Sequence, residues 1–311
     1  MINKRAIQYY FSLQYRMLNR QLSDFGLHPL AGYILSVAAF IGLSVYLFLK
    51  TEFAMYIYYL LAIGFTYMLS ESGRNGFLKT CFNADEYYKI RIIENALLVL
   101  PFVAFLTYKS AFLPAILLLV SAILLVFLSI RSTLNFTIPT PFSNKPFEFI
   151  VGFRNTFYAF VLAYFLTIMA VTVGNFNLGI FALLFVLMIC MTFYSNPESE
   201  FYVWIFSSGT RGFLLHKIKI ALLYSTILCL PVVVGLGVFF PENIAAILGF
   251  QSLGYLYLVA VILAKYSTFP NKINLPQILV IAFSISFPPL LIGVIPYFYI
   301  QSAKKLNEIL E

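Results

Sequence analysis

The chain predicts an all-α, polytopic membrane protein of about eight to nine transmembrane helices, arranged as two parallel four-helix repeats behind an amphipathic interfacial helix. Three observations predict it. Of the 311 residues, 61% are hydrophobic and only 10% charged. The apolar residues gather into stretches of bilayer length. Those stretches also recur at a fixed shift along the chain.

Nine stretches are long enough to cross: Ala31–Leu49, Phe53–Leu69, Ile92–Tyr108, Phe112–Ile130, Thr156–Val173, Phe176–Tyr194, Ile220–Phe240, Ile244–Ala264 and Ile278–Ile300. Runs of roughly 17–25 apolar residues fit a hydrocarbon core when helical, because a helix satisfies its own N–H and C=O groups. One formal charge, Glu94, falls inside them, and its place just after Lys89 and Arg91 predicts an interfacial carboxylate near a helix start.

Before the first stretch, residues 1–30 place Phe11, Tyr15, Leu18, Leu22 and Phe25 on one helical face, with Arg16, Asn19, Arg20 and Ser23 off it. That pattern suits a helix lying in the headgroup plane of membrane lipids. Residues 31–130 then form the first repeat, with a cytoplasmic segment at 70–91. Residues 131–155 form a proline-containing linker, and 156–264 the second repeat, with a cytoplasmic segment at 195–219. A shift of about 125 residues superposes the two, and Pro101 and Pro231 kink the third and seventh spans at similar depths. In the C-terminal membrane segment and tail, 265–311, Pro288, Pro289 and Pro296 interrupt the ninth stretch, so it either spans once or is broken and re-entrant.

Net charge is +8. Lysines and arginines are spread over the longer loops without a run, which fits the positive-inside rule with a cytoplasmic N-terminus and not a nucleic-acid partner. The first apolar run is too long for a secretory leader, so no processing is expected. Cys81, Cys190 and Cys229 have no paired spacing and read as small hydrophobes.

Catalysis is not expected. His28 and His216, the two histidines, lie at membrane edges away from any metal-ligand spacing, and no phosphate-binding lysine loop is present. No catalytic, cofactor-binding or metal-binding residue is therefore assigned. Ion-coupled transport needs an ionisable group at depth. If solute moves, the energy comes from another chain.

Two cytoplasmic elements stand out. Ser195-Asn196-Pro197-Glu198-Ser199-Glu200 combines capping residues, a proline suited to the first helical position and early carboxylates, marking a helix that runs on through Trp204 and Phe206 towards Arg211. In the first repeat, Phe77 and Leu78 precede Asn83-Ala84-Asp85-Glu86, which reads as a capping box. Aromatic groups on short loop helices suit docking into clefts of a soluble partner, or anchoring at the headgroups.

This layout resembles the membrane subunit of ATP-binding-cassette exporters of the type-2 permease class, and is similar to small permeases of Bacteroidota. The resemblance covers most of the chain as architecture. It implies a bacterial inner-membrane permease with coupling contacts at Glu198, Glu200, Trp204, Phe206 and Arg211, and at Phe77, Leu78, Asp85 and Glu86. It further implies a separate ATPase subunit carrying ATP and Mg, and a homo- or heterodimer of permeases. The charge-free spans favour a hydrophobic or amphipathic cargo such as a lipid, peptide or antibiotic. The alternative is a non-transporting scaffold or assembly factor holding a different cytoplasmic protein.

Overall fold

A computed structural model describes residues 2–128, 139–142, 147–205 and 209–310. Among them every regular element is helical, and five helices are long and apolar enough to cross a bilayer: Pro29–Lys50, Ala84–Tyr108, Phe147–Val173, Gly209–Phe239 and Pro241–Ser267. The chain is a multi-pass membrane protein. It divides into two compact units, Met1–Ser23 with Leu27–Phe136, and Asp24–Gly26 with Thr137–Glu311.

The first unit holds α1 (Ile2–Asp24), α2 (Pro29–Lys50), α3 (Ala54–Met68), α4 (Ser72–Cys81), α5 (Ala84–Tyr108) and α6 (Phe112–Leu124). α2 turns most of its apolar surface outward, with Ile34, Leu43 and Leu49 all exposed, as a lipid-facing helix does. The core joins Tyr58 and Ala62 of α3, Val99, Phe102 and Leu106 of α5, and Leu118 and Ala122 of α6. α5 begins at Ala84, where the Asn83 N–H donates to Glu86 Oε2 at 3.2 Å in the expected capping box. Glu94 lies about 15 Å along the helix, its side chain 11% exposed.

The second unit holds α7 (Phe147–Val173), α8 (Phe176–Thr192), α9 (Glu200–Trp204), α10 (Gly209–Phe239), α11 (Ile244–Ser267), α12 (Leu275–Ser286) and α13 (Leu291–Leu310). From α7 to α11 the order is two apolar helices, one short helix and two apolar helices, the same as from α2 to α6. The prolines Pro101 and Pro231 both lie inside continuous helices, α5 and α10. Of the linker, residues 147–155 already belong to α7, while 129–138 and 143–146 lie outside the described residues.

The ninth apolar stretch breaks. α12 has 12 residues, about 18 Å, and a turn at Pro288–Leu290 leads into α13. At depth, Tyr257 OH of α11 donates to the Ser284 carbonyl at 2.5 Å. Further on, Ser302 Oγ donates to the Leu263 carbonyl at 2.6 Å, and Thr210 donates to Asn307. The chain therefore returns to the end of the unit at which α10 begins. Two prolines in succession remove two helical donors, so the reversal is placed where the helix is already broken.

The core of this unit is aromatic. Phe149, fully buried on α7, meets Phe193 edge-on at 5.2 Å and Tyr224 at 5.5 Å, and Cys190 and Cys229 fill space in the same core. Gly152 lets α7 approach this cluster, because a Cβ there would stand 2.3 Å from the Phe193 ring. Alanine in a helix interior gains about 1 kcal/mol over glycine. Overpacking a ring hemmed in by neighbours costs about 1–3 kcal/mol. Gly152→Ala is expected to lower the thermal midpoint in detergent; an unchanged or raised midpoint would show that Phe193 has room to yield.

Candidate functional site

Each unit carries a cluster of charge that is at least partly buried, and in the second it stands beside the short helix that the sequence singles out. Glu148 comes from the first turn of α7, Lys217 from α10, Lys265 from the last turn of α11, and Glu198 from the irregular segment leading into α9. Lys217 Nζ lies 2.6 Å from Glu148 Oε1 and 3.1 Å from Glu198 Oε1. Lys265 Nζ lies 3.6 Å from Glu148 Oε1 and pairs closely with Glu198 Oε2. Tyr266 OH donates to Glu198 Oε1 at 2.5 Å. Each ammonium thus meets both carboxylates, and the set is neutral overall.

Burial alone pushes the Glu198 carboxyl up. Lys217 and Lys265, with hydrogen bonds from Lys265 and Tyr266, outweigh it and hold the group down at about 2. Glu198 is ionised throughout the physiological range. An open recess of ≈ 170 Å³, walled by Phe147, Pro197 and Tyr202, leads down to these charges.

α9 projects from this base. Its one buried residue is Val203, while Phe201, Tyr202, Trp204 and Ile205 are exposed, Trp204 by 63%. Tyr202 leans on Phe147 of α7, ring centres 5.3 Å apart. The helix is shorter than the sequence suggests, and Pro197 lies ahead of its first turn, with Ser199 in the cap position. Glu198 is drawn into the ion cluster and Ser199 is extended, so the helix starts only at Glu200. Gly209, at φ 66°, opens α10 from a left-handed conformation that glycine adopts without a Cβ clash.

Of the residues expected to contact a partner, Glu200, Trp204, Arg211, Phe77 and Asp85 are exposed. Phe206 lies outside the described residues. Three others are corrected by their surroundings. Glu198 is committed to the two lysines, Leu78 is 2% exposed against Tyr10, Tyr87 and Ile90, and Glu86 is spent on its cap. On α1, Phe11 and Leu22 are half-buried, while Tyr15 and Leu18, and Phe25 in the turn that follows, are exposed.

The cluster in the first unit was missed as well. Arg74 of α4 pairs with Glu94 of α5, Tyr10 OH of α1 donates to Glu94 Oε1 at 2.6 Å, and Arg74 Nη2 donates to Tyr10 at 3.1 Å. Burial, followed by the bond to Glu94, pushes the Tyr10 phenol up. The fully buried Arg91 donates to the Leu69 carbonyl at 2.5 Å and to Ser70 Oγ at 2.9 Å, closing the C-terminal end of α3. A basic residue set at the end of an apolar run, as Lys265 is, was the one signal in the sequence; it read equally as a loop charge.

Among the described residues no group of three or more His, Cys, Asp or Glu side chains stands close enough to hold a metal ion. The arrangement offers binding and positioning, with a rigid ionic base and an exposed aromatic tip. No protein-family model, curated protein or solved structure matches this chain.

Proposed function

We propose that this chain is the permease subunit of an ATP-driven exporter in the bacterial cytoplasmic membrane, its N-terminus inside, energised by a separate ATPase that docks on α9. The observation that carries the reading is the exposure of three aromatic side chains, Phe201, Tyr202 and Trp204, on a helix of five residues, with Ile205 exposed just after it. So short a helix has no stability of its own. Holding it outward from a buried ionic base makes sense where a protein receives it, and clustered aromatics are the side chains that dominate such interfaces. The apolar spans favour a hydrophobic or amphipathic cargo, since a charged solute would find no counter-charge along most of them.

The test is recovery of the partner. Tagged protein drawn from native membranes is expected to bring down a soluble ATPase, and Trp204→Ala with Phe201→Ala to weaken that recovery by about 30-fold, as for loss of a central contact. A stoichiometric complex that survives both changes, or recovery of a partner without ATPase activity, sinks the reading.

A further inference from the structure

We infer that Glu148, Glu198, Lys217 and Lys265 are positioning residues that fix α9 on the ends of α7, α10 and α11; their link to docking rests on the reading of α9 given above. The geometry is particular. Glu198 stands two residues ahead of α9, and its partners are rooted in α10 and α11. Lys217 and Lys265 then reach across to Glu148 on α7. Four elements are joined through alternating charges, each cation between two anions.

Such a joint contributes little to net stability, because the desolvation of four charges offsets their attraction, and well-packed apolar groups would serve as well. What it supplies is a single arrangement. Apolar side chains pack in several ways at similar energy, whereas alternating charges in a low-dielectric site reject any shift that brings like charges together. α9 also packs on α13, buries Val203 and leans Tyr202 on Phe147, and the ionic base fixes the chain that enters it. A push on its aromatic tip is passed to three helices together.

The chain contains one tryptophan, Trp204, on α9 itself, so its fluorescence reports this helix alone. The variant to use is Glu198→Gln with Lys265→Met, which removes one charge of each sign and leaves the Glu148–Lys217 pair at 2.6 Å intact. Purified in nanodiscs, it is expected to keep its thermal midpoint within a few degrees. Acrylamide quenching of Trp204 should rise about twofold and its anisotropy fall, well below the unfolding temperature. Inverting all four charges, which preserves the alternation, should bring both back towards the parent.

Quenching and anisotropy equal to the parent in the folded double variant overturn the positioning role, whatever a pull-down gives. Increased quenching supports it, whatever a pull-down gives. Recovery of the ATPase by the same variant is read separately, and bears only on whether α9 is the docking element.

Discussion

Lys265→Met is expected to destabilise the protein by about 3 kcal/mol, because it strands Glu148 and Glu198 in a buried site with one ammonium between them. Lys265 is 2% exposed, so water does not replace the lost partner. The hold on Glu198 shows in its carboxyl, which moves from an ordinary 4.5 to about 2 against the upward push of burial. A carboxyl lowered in this way stabilises fully above about pH 4.5, and that contribution is lost as the pH falls towards 2. In Lys265→Met the holding charge is halved while burial persists, so the acid transition should move towards neutral pH. Thermal unfolding in detergent across pH 3–8 reads both effects; a variant as stable as the parent, with the same acid transition, would show that Lys265 carries no net interaction here.

Arg74→Met should cost about 3 kcal/mol in the first unit by the same logic. Glu94 keeps only 11% of its side-chain surface and lies among the apolar residues of α5, and the guanidinium that pairs with it would be gone. Arg91 gives its two Nη groups to Leu69 and Ser70, so it does not take over the hydrogen bond that Arg74 makes to Glu94. Adding Glu94→Gln removes the stranded charge and is expected to restore stability to within about 1 kcal/mol of the parent. Because Tyr10 joins α1 to this pair, Arg74→Met should also loosen α1, seen as faster proteolysis after Arg16 or Arg20. Equal stability of the single and double variants would mean that Glu94 is not the group at stake.

These two variants bear on what was legible beforehand. Apolar runs of bilayer length identified the helical class and most of the membrane helices, because length and composition are local properties of a segment. The capping box at Asn83 was legible for the same reason. The α9 segment was only partly so. Its aromatic content and capping residues marked it, but its start at Glu200 depends on where Glu198 goes, and that is fixed by lysines on α10 and α11. The partners of Glu94 were not legible, because Tyr10 and Arg74 lie 84 and 20 positions away.

By itself, then, the sequence determined that the chain folds as helices in lipid and which short segment carries exposed aromatics. The tertiary structure alone decided that the loop charges are internal partners, pairing Glu148 with Lys217 across 69 positions and Tyr10 with Glu94 across 84. It also decided that the last apolar stretch turns back within its unit. The physical reason is range. Helix formation and the partition of an apolar run into lipid depend on residues within a few turns, whereas an ion pair forms between groups that only the packed helices bring within a few ångströms.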